Sequence, residues 1–273
     1  MMNSLLAHTN NKGLRIVLAV LAIEWLLFIF SGVSYSFLHK DPFFSLGVDP
    51  LYWIFYAVGI PQFILSQQWL AISCDIIVTV LLAFLIIKPG NNRIAIGLMA
   101  MLLLFYVTLT GYHSHRNFQA GFFLVLLAFI FRPGKSRVMA YEATRYFLLF
   151  FYLSSALLKL FSPSLFDTTL FSEFLKQQFV PYFLENNTGW RTNLNLYLSG
   201  NAAMAQIIFF AGIVVELSAL AGFFTKKYDW LLGCLLISFH FGNWILMDIA
   251  PFGQIAFVCL LFVGKAFHTK EST

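Results

Sequence analysis

Between Trp69 and Ile87 the chain reads WLAISCDIIVTVLLAFLII, and apolar runs of this kind recur from end to end. A run of about twenty apolar residues wound as a helix is long enough to cross the hydrocarbon core of a bilayer. A helix also satisfies its own backbone hydrogen bonds there, which an irregular segment facing lipid cannot do. The 12 acidic and 17 basic residues fall largely between the runs. With 60% hydrophobic and 11% charged residues among 273, the chain is far from a soluble globule, about a quarter of which is charged. The reading is an all-α polytopic membrane protein, one transmembrane domain over residues 1–273. The longest polar interval has roughly 40 residues and carries many aromatics, so no soluble domain is left over. The bases are scattered at the ends of the runs with no basic patch, which excludes a nucleic-acid binder despite a pI near 9.1.

Eight spans are expected, at about 14–37, 69–87, 94–112, 117–131, 144–161, 203–224, 229–247 and 252–267. LYWIFYAVGIPQFIL (51–65) is short for a crossing and holds Pro61, so it reads as interfacial or re-entrant. With eight spans, Lys12, Arg15, Lys88, Arg93, Arg132, Lys135, Arg137, Lys226, Lys227, Lys265 and Lys270 fall on one side. Only Lys40, Arg116, Lys176 and Arg191 fall on the other. Basic loops mark the cytoplasm, so both termini are expected there. The first run is too long for a cleaved signal, is interrupted by Glu24, and no small-residue cleavage site follows. Cys74, Cys234 and Cys259 form no CxxC, which points away from dithiol redox chemistry. The outer segment 162–202 places Leu170, Phe171, Phe174, Leu175 and Phe179 at helical spacing, an amphipathic helix on the outer leaflet or capping the bundle.

An ionised side chain at bilayer depth costs about 2.5–3.5 kcal/mol on insertion scales, so each one calls for a reason. The candidates are Glu24, Asp75, Arg145, Lys159, Glu216 and His240, with His113 and His115 at the mouth of the third and fourth spans. Counted from the span ends, Lys159, His113, His115 and Asp75 belong to the outer half, Glu24 and Glu216 nearer the middle or inner half, and His240 near the centre. Lys159, in FYLSSALLKLF, has two readings: its stem snorkels to the headgroups, or its amine faces the bundle and serves as a general base. His113 and His115 read as loop residues, as a metal pair without a third ligand close in sequence, or as proton carriers at the outer opening. His240 reads as a bundle-facing polar group, since lipid would leave its ring N–H unpaired. Glu24 and Glu216 read as partners for Arg145 or for hydroxyls on neighbouring helices.

Three stretches carry a resemblance. FYLSSALLKL is similar to the tyrosine–small residue–Lys-Leu pattern of the membrane module of vitamin K-dependent γ-glutamyl carboxylases and their bacterial relatives, the HTTM family. HRNFQAGFFLVLLAF resembles that family's histidine before a Leu/Phe-rich helix, and VELSALAGFF with LISFHFGNWILM resembles its Glu-Leu helix and Phe-His pair. The resemblance implies Lys159 as the base that deprotonates a reduced quinone of the vitamin K hydroquinone type. It maps the family histidine onto His115, with His113 beside it, and also picks out Glu216 and His240. It implies a bacterial inner (plasma) membrane and a substrate that is an exported peptide or small molecule reached from outside; no metal is expected, because no acid or cysteine stands close to His113 and His115 in sequence. Ala156 stands where the family has glycine, and Phe161 and Ser164 replace its acidic and tryptophan residues. A reading of a different class remains: a non-catalytic maturation or export accessory, or a carrier for a secreted peptide or lipid-soluble ligand. Internal symmetry, which carriers often show, is not visible.

Overall fold

Among the described residues, five runs wind into helices long and apolar enough to cross a membrane: Lys12–Phe37, Gln68–Ile87, Asn92–Leu109, Ala202–Phe224 and Asp229–Met247. The computed structural model describes residues 2–38, 50–112, 121–184, 189–249 and 253–264, and among them there is no strand. This is an all-helical integral membrane protein. Helix Gln68–Ile87 shows the pattern plainly. It buries Ala71, Asp75, Val78, Leu82 and Leu85 on one stripe and leaves Trp69, Ile76, Phe84 and Ile87 exposed. A polar residue inside and large apolar residues outside invert the order of a water-soluble helix.

The α-helices are α1 (Met2–Phe30), α2 (Pro50–Val58), α3 (Ile60–Ser66), α4 (Gln68–Ile87), α5 (Asn92–Tyr112), α6 (Lys135–Leu160), α7 (Leu170–Leu184), α8 (Trp190–Gly200), α9 (Ala202–Leu217), α10 (Ala219–Phe224), α11 (Asp229–Met247) and α12 (Ile255–Val258). The interval 51–65 is two short helices parted at Gly59, whose φ of +77° suits glycine. Pro61 opens α3, where its missing N–H costs nothing. In the interval 117–131 the described residues form a 3₁₀ helix, Gly121–Ala128, about 16 Å long at its usual rise. In the interval 252–267 they form α12 and a 3₁₀ turn, Cys259–Phe262, entered through Gly253 at φ +108°. Neither interval holds a helix of spanning length among the described residues. Conversely α6 starts nine residues before the expected 144, because KSRVMAYEA contains nothing to break it.

The chain divides into two compact units, residues 1–144 with 252–273, and residues 145–251. In the first, the rings of Trp25, Phe28 and Tyr35 meet Phe105 edge-on at 5.1, 5.6 and 5.2 Å. Trp25 donates its indole N–H to Thr79, and Tyr35 its hydroxyl to the Met101 carbonyl. Asp75 accepts from the Ser34 hydroxyl (2.8 Å) and from the backbone N–H groups of Tyr35 and Ser36 (both 3.0 Å). It thereby fixes the turn that follows α1. Arg137 donates to the carbonyls of Pro89, Gly90, Phe129 and Phe131, all at segment ends that lack intrahelical donors.

In the second unit, α7 and α8 pack against each other and against α9. The expected amphipathic helix is α7. Phe171, Leu175 and Phe179, one turn apart, are its buried stripe, while Leu170 and Phe174 stay partly exposed. Arg145 on α6 is fully buried, donating to Asp229 at 2.8 and 2.6 Å and to the Gly222 carbonyl at 2.8 Å. Neither Glu24 nor Glu216 is its carboxylate partner. Asp229 opens α11, where a carboxylate also suits the helix N-terminus.

Candidate functional site

One face of α6 presents Tyr152, Ser155 and Lys159, three and four residues apart, as helical geometry requires for side chains to line up. Facing them, α9 contributes Glu216, and α11 contributes the adjacent pair Phe239 and His240. All six lie within the second unit.

Lys159 Nζ lies 2.5 and 2.6 Å from the two carboxylate oxygens of Glu216. The Ser155 hydroxyl donates to Glu216 Oε1 at 3.0 Å and accepts from Lys159 Nζ at 3.2 Å. The three side chains close a ring of hydrogen bonds, the charge-assisted ones being the shorter. Glu216 is buried, its side chain 3% exposed, whereas the Lys159 side chain is 34% exposed. The ammonium also lies 5.8 Å from the centre of the Phe239 ring, within cation–π reach. So the amine does not reach outward. It turns back toward the N-terminus of α6, the direction in which helical side chains lean, and meets Ser155 one turn earlier. The charged ends of Lys159 and Glu216 therefore meet, although counting from the span ends places Lys159 in the outer half and Glu216 nearer the middle or inner half.

The second contact is between the Tyr152 hydroxyl and His240 Nε2, 2.5 Å apart, both side chains buried. It gives the imidazole the polar partner that its place inside the bundle demands. Tyr152, the tyrosine of the FYLSSALLKL pattern, is a site residue that the expected set did not include. Its spacing from Ser155 and Lys159 on one helical face is the signal that would have found it. Gly212, one turn before Glu216 on α9, lies against Phe239: a Cβ there would stand 3.3 Å from its ring. Beyond Lys159, the Thr169 hydroxyl and backbone N–H both donate to Asp167 (2.8 and 2.9 Å). They hold the Asp167 carboxyl below the usual carboxylate range, the hydroxyl bond foremost.

His113 and His115 lie outside the described residues. Of the expected site residues, Lys159 and Glu216 are brought into contact, and His240 is bound to a tyrosine on the same helical face as Lys159. No group of three metal-ligating side chains forms among the described residues. The arrangement is a buried acid paired with a semi-accessible amine, so a proton can pass between nitrogen and carboxylate without either group moving. Comparison of the chain with family models, with curated proteins and with solved structures gives no match.

Proposed function

We propose that this protein is a membrane enzyme in which Lys159 acts as a base toward a reduced, lipid-soluble quinone of the vitamin K hydroquinone type. Its two-electron oxidation, with a dissolved acceptor such as dioxygen taking the electrons, would be coupled to modification of an exported peptide or small molecule at the outer face. The eight-span topology, with cytoplasmic termini in a bacterial inner membrane, belongs to this proposal, as do the roles of His115 and His113 at the outer opening. The observation that carries it is the contact of Lys159 Nζ with both oxygens of buried Glu216.

That contact supplies what a base in this setting needs. An ammonium cannot accept a proton, so the one it carries must first go elsewhere. Glu216 takes it across the 2.5 Å contact, leaving an amine and a carboxylic acid, neither charged. In a medium of low polarity two charges are costly unless closely matched, so the neutral pair is a natural alternative to the ion pair. Ser155 keeps a hydrogen bond to both groups in either state. The donor set fits a quinol: an amine to receive a hydroxyl proton, with the flat Phe239 ring beside it. When bound, the quinol would supply the acidic hydroxyl and the reducing electrons. Tyr152 and His240 would hold a polar contact on the same face, for charge that develops during reaction.

The test is hydroquinone oxidation by the purified protein in liposomes. Lys159→Ala is expected to abolish turnover, and Glu216→Gln to lower it by about a hundredfold or more, in the range of general-base catalysis. Full turnover by Lys159→Ala would refute the role given to the amine. A peptide captured by a protein holding no quinone would favour the accessory reading.

A further inference from the structure

The first unit carries a second buried ionisable group that the proposed chemistry does not use. Glu24 stands on α1, twelve residues after Lys12 and thirteen before Phe37, the ends of that candidate span. The α-helix itself ends six residues after Glu24, at Phe30, and Glu24 lies about 18 Å from Lys12 along it. The residue is only 2% exposed.

Its two oxygens are treated differently. Oε1 accepts from the backbone N–H groups of Gly253 (3.2 Å) and Ala256 (3.1 Å), at the entry to α12. Oε2 is buried and has no hydrogen-bond partner among the described residues. Among the described residues the other three buried carboxylates are each compensated: Asp229 by Arg145, Glu216 by Lys159, and Asp75 by three donors shared over both its oxygens. No ion pair involves Glu24 among the described residues. The titratable group facing it, from the segment that follows α12, is the Cys259 thiol, which brings no positive charge. A buried anion in an apolar surrounding with no counter-charge carries a solvation penalty large enough that such a group neutralises instead.

We propose that Glu24 is a proton-binding site in the membrane interior. Its carboxyl is the neutral acid, with Oε1 as the carbonyl acceptor of the two N–H bonds and Oε2 bearing the proton. The clasp between α1 and α12 survives this, because a carbonyl oxygen accepts hydrogen bonds as a carboxylate oxygen does. The site thus stores one proton, released only when a cation or donor reaches Oε2. It rests on the first unit alone and stands or falls apart from the role of Lys159.

Infrared spectroscopy of the full-length protein in membranes tests this. The difference spectrum between wild type and Glu24→Gln is expected to lose one protonated-carboxyl C=O band and no carboxylate band. Glutamine keeps an acceptor for Gly253 and Ala256, so the variant is expected to fold. Should it not, Glu24→Asp is expected to shift that band rather than remove it. Loss of carboxylate bands instead, or bands that depend on sodium, would overturn the proposal, the latter pointing to a bound cation.

Discussion

The unequal burial of Glu216 and Lys159 makes a quantitative prediction. Lys159→Met strands a carboxylate whose side chain is 3% exposed; Glu216→Gln strands an ammonium whose side chain is 34% exposed. Breaking a buried pair from the side that leaves the buried charge costs about 3–5 kcal/mol. The Ser155 hydroxyl still donates to Glu216, so the lower end, about 3 kcal/mol, applies. The ammonium left by Glu216→Gln is free to turn toward solvent. Its loss falls within the exposed-pair range, about 1 kcal/mol. The expected gap of about 2 kcal/mol is near thirtyfold in the ratio of folded to unfolded protein. The double variant Lys159→Met/Glu216→Gln carries neither charge and is expected to be more stable than Lys159→Met alone, a coupling that a double-mutant cycle reads directly. Denaturant titration in one detergent, followed by tryptophan fluorescence, gives all four values. If Glu216→Gln costs as much as Lys159→Met, or the two losses simply add, the amine is not held as described.

Two further outcomes follow from the second unit. Asp229→Asn removes the carboxylate that the fully buried Arg145 guanidinium donates to twice, while its bonds to the Gly222 and Thr225 carbonyls stay. The loss is expected to be about 3 kcal/mol or more by the same titration, and a loss below 1 kcal/mol would contradict the pairing. Gly222→Ala places a methyl 2.7 and 2.9 Å from the Leu149 methyl groups and 3.1 Å from Leu232. It is expected to cost about 1–3 kcal/mol by overpacking, most of it recovered when Leu149→Ala makes room.

The class of fold was legible because hydropathy and charge spacing act locally. The runs at 69–87 and 229–247 match α4 and α11 nearly to the residue, and the run at 203–224 covers α9 and α10 together. Where the chain departs from a plain helix, at Gly121–Ala128 and at α12, composition alone is apolar enough to suggest a span, and the distinction lies in backbone geometry that hydropathy does not encode. Partner choice was the other gap. Lys159 and Glu216 are 57 residues apart, and Arg145 finds Asp229 rather than either glutamate. Which carboxylate meets which cation depends on helix rotation and the lean of long side chains, and neither is written in spacing. The direction Lys159 takes follows from helix geometry once Ser155 is seen one turn before it. Tyr152 stood in the tyrosine–Lys pattern of FYLSSALLKL, but its partner His240, 88 residues on, is set by packing that spacing does not show.

The central claim is that a reduced quinone meets the Lys159–Glu216 pair. Lipid extraction of the protein purified in mild detergent, followed by mass spectrometry, measures this directly. One quinone per chain in wild type, depleted in Lys159→Met/Glu216→Gln, is the expected result. Wild-type protein that carries no quinone, or a double variant that carries as much, would contradict the account.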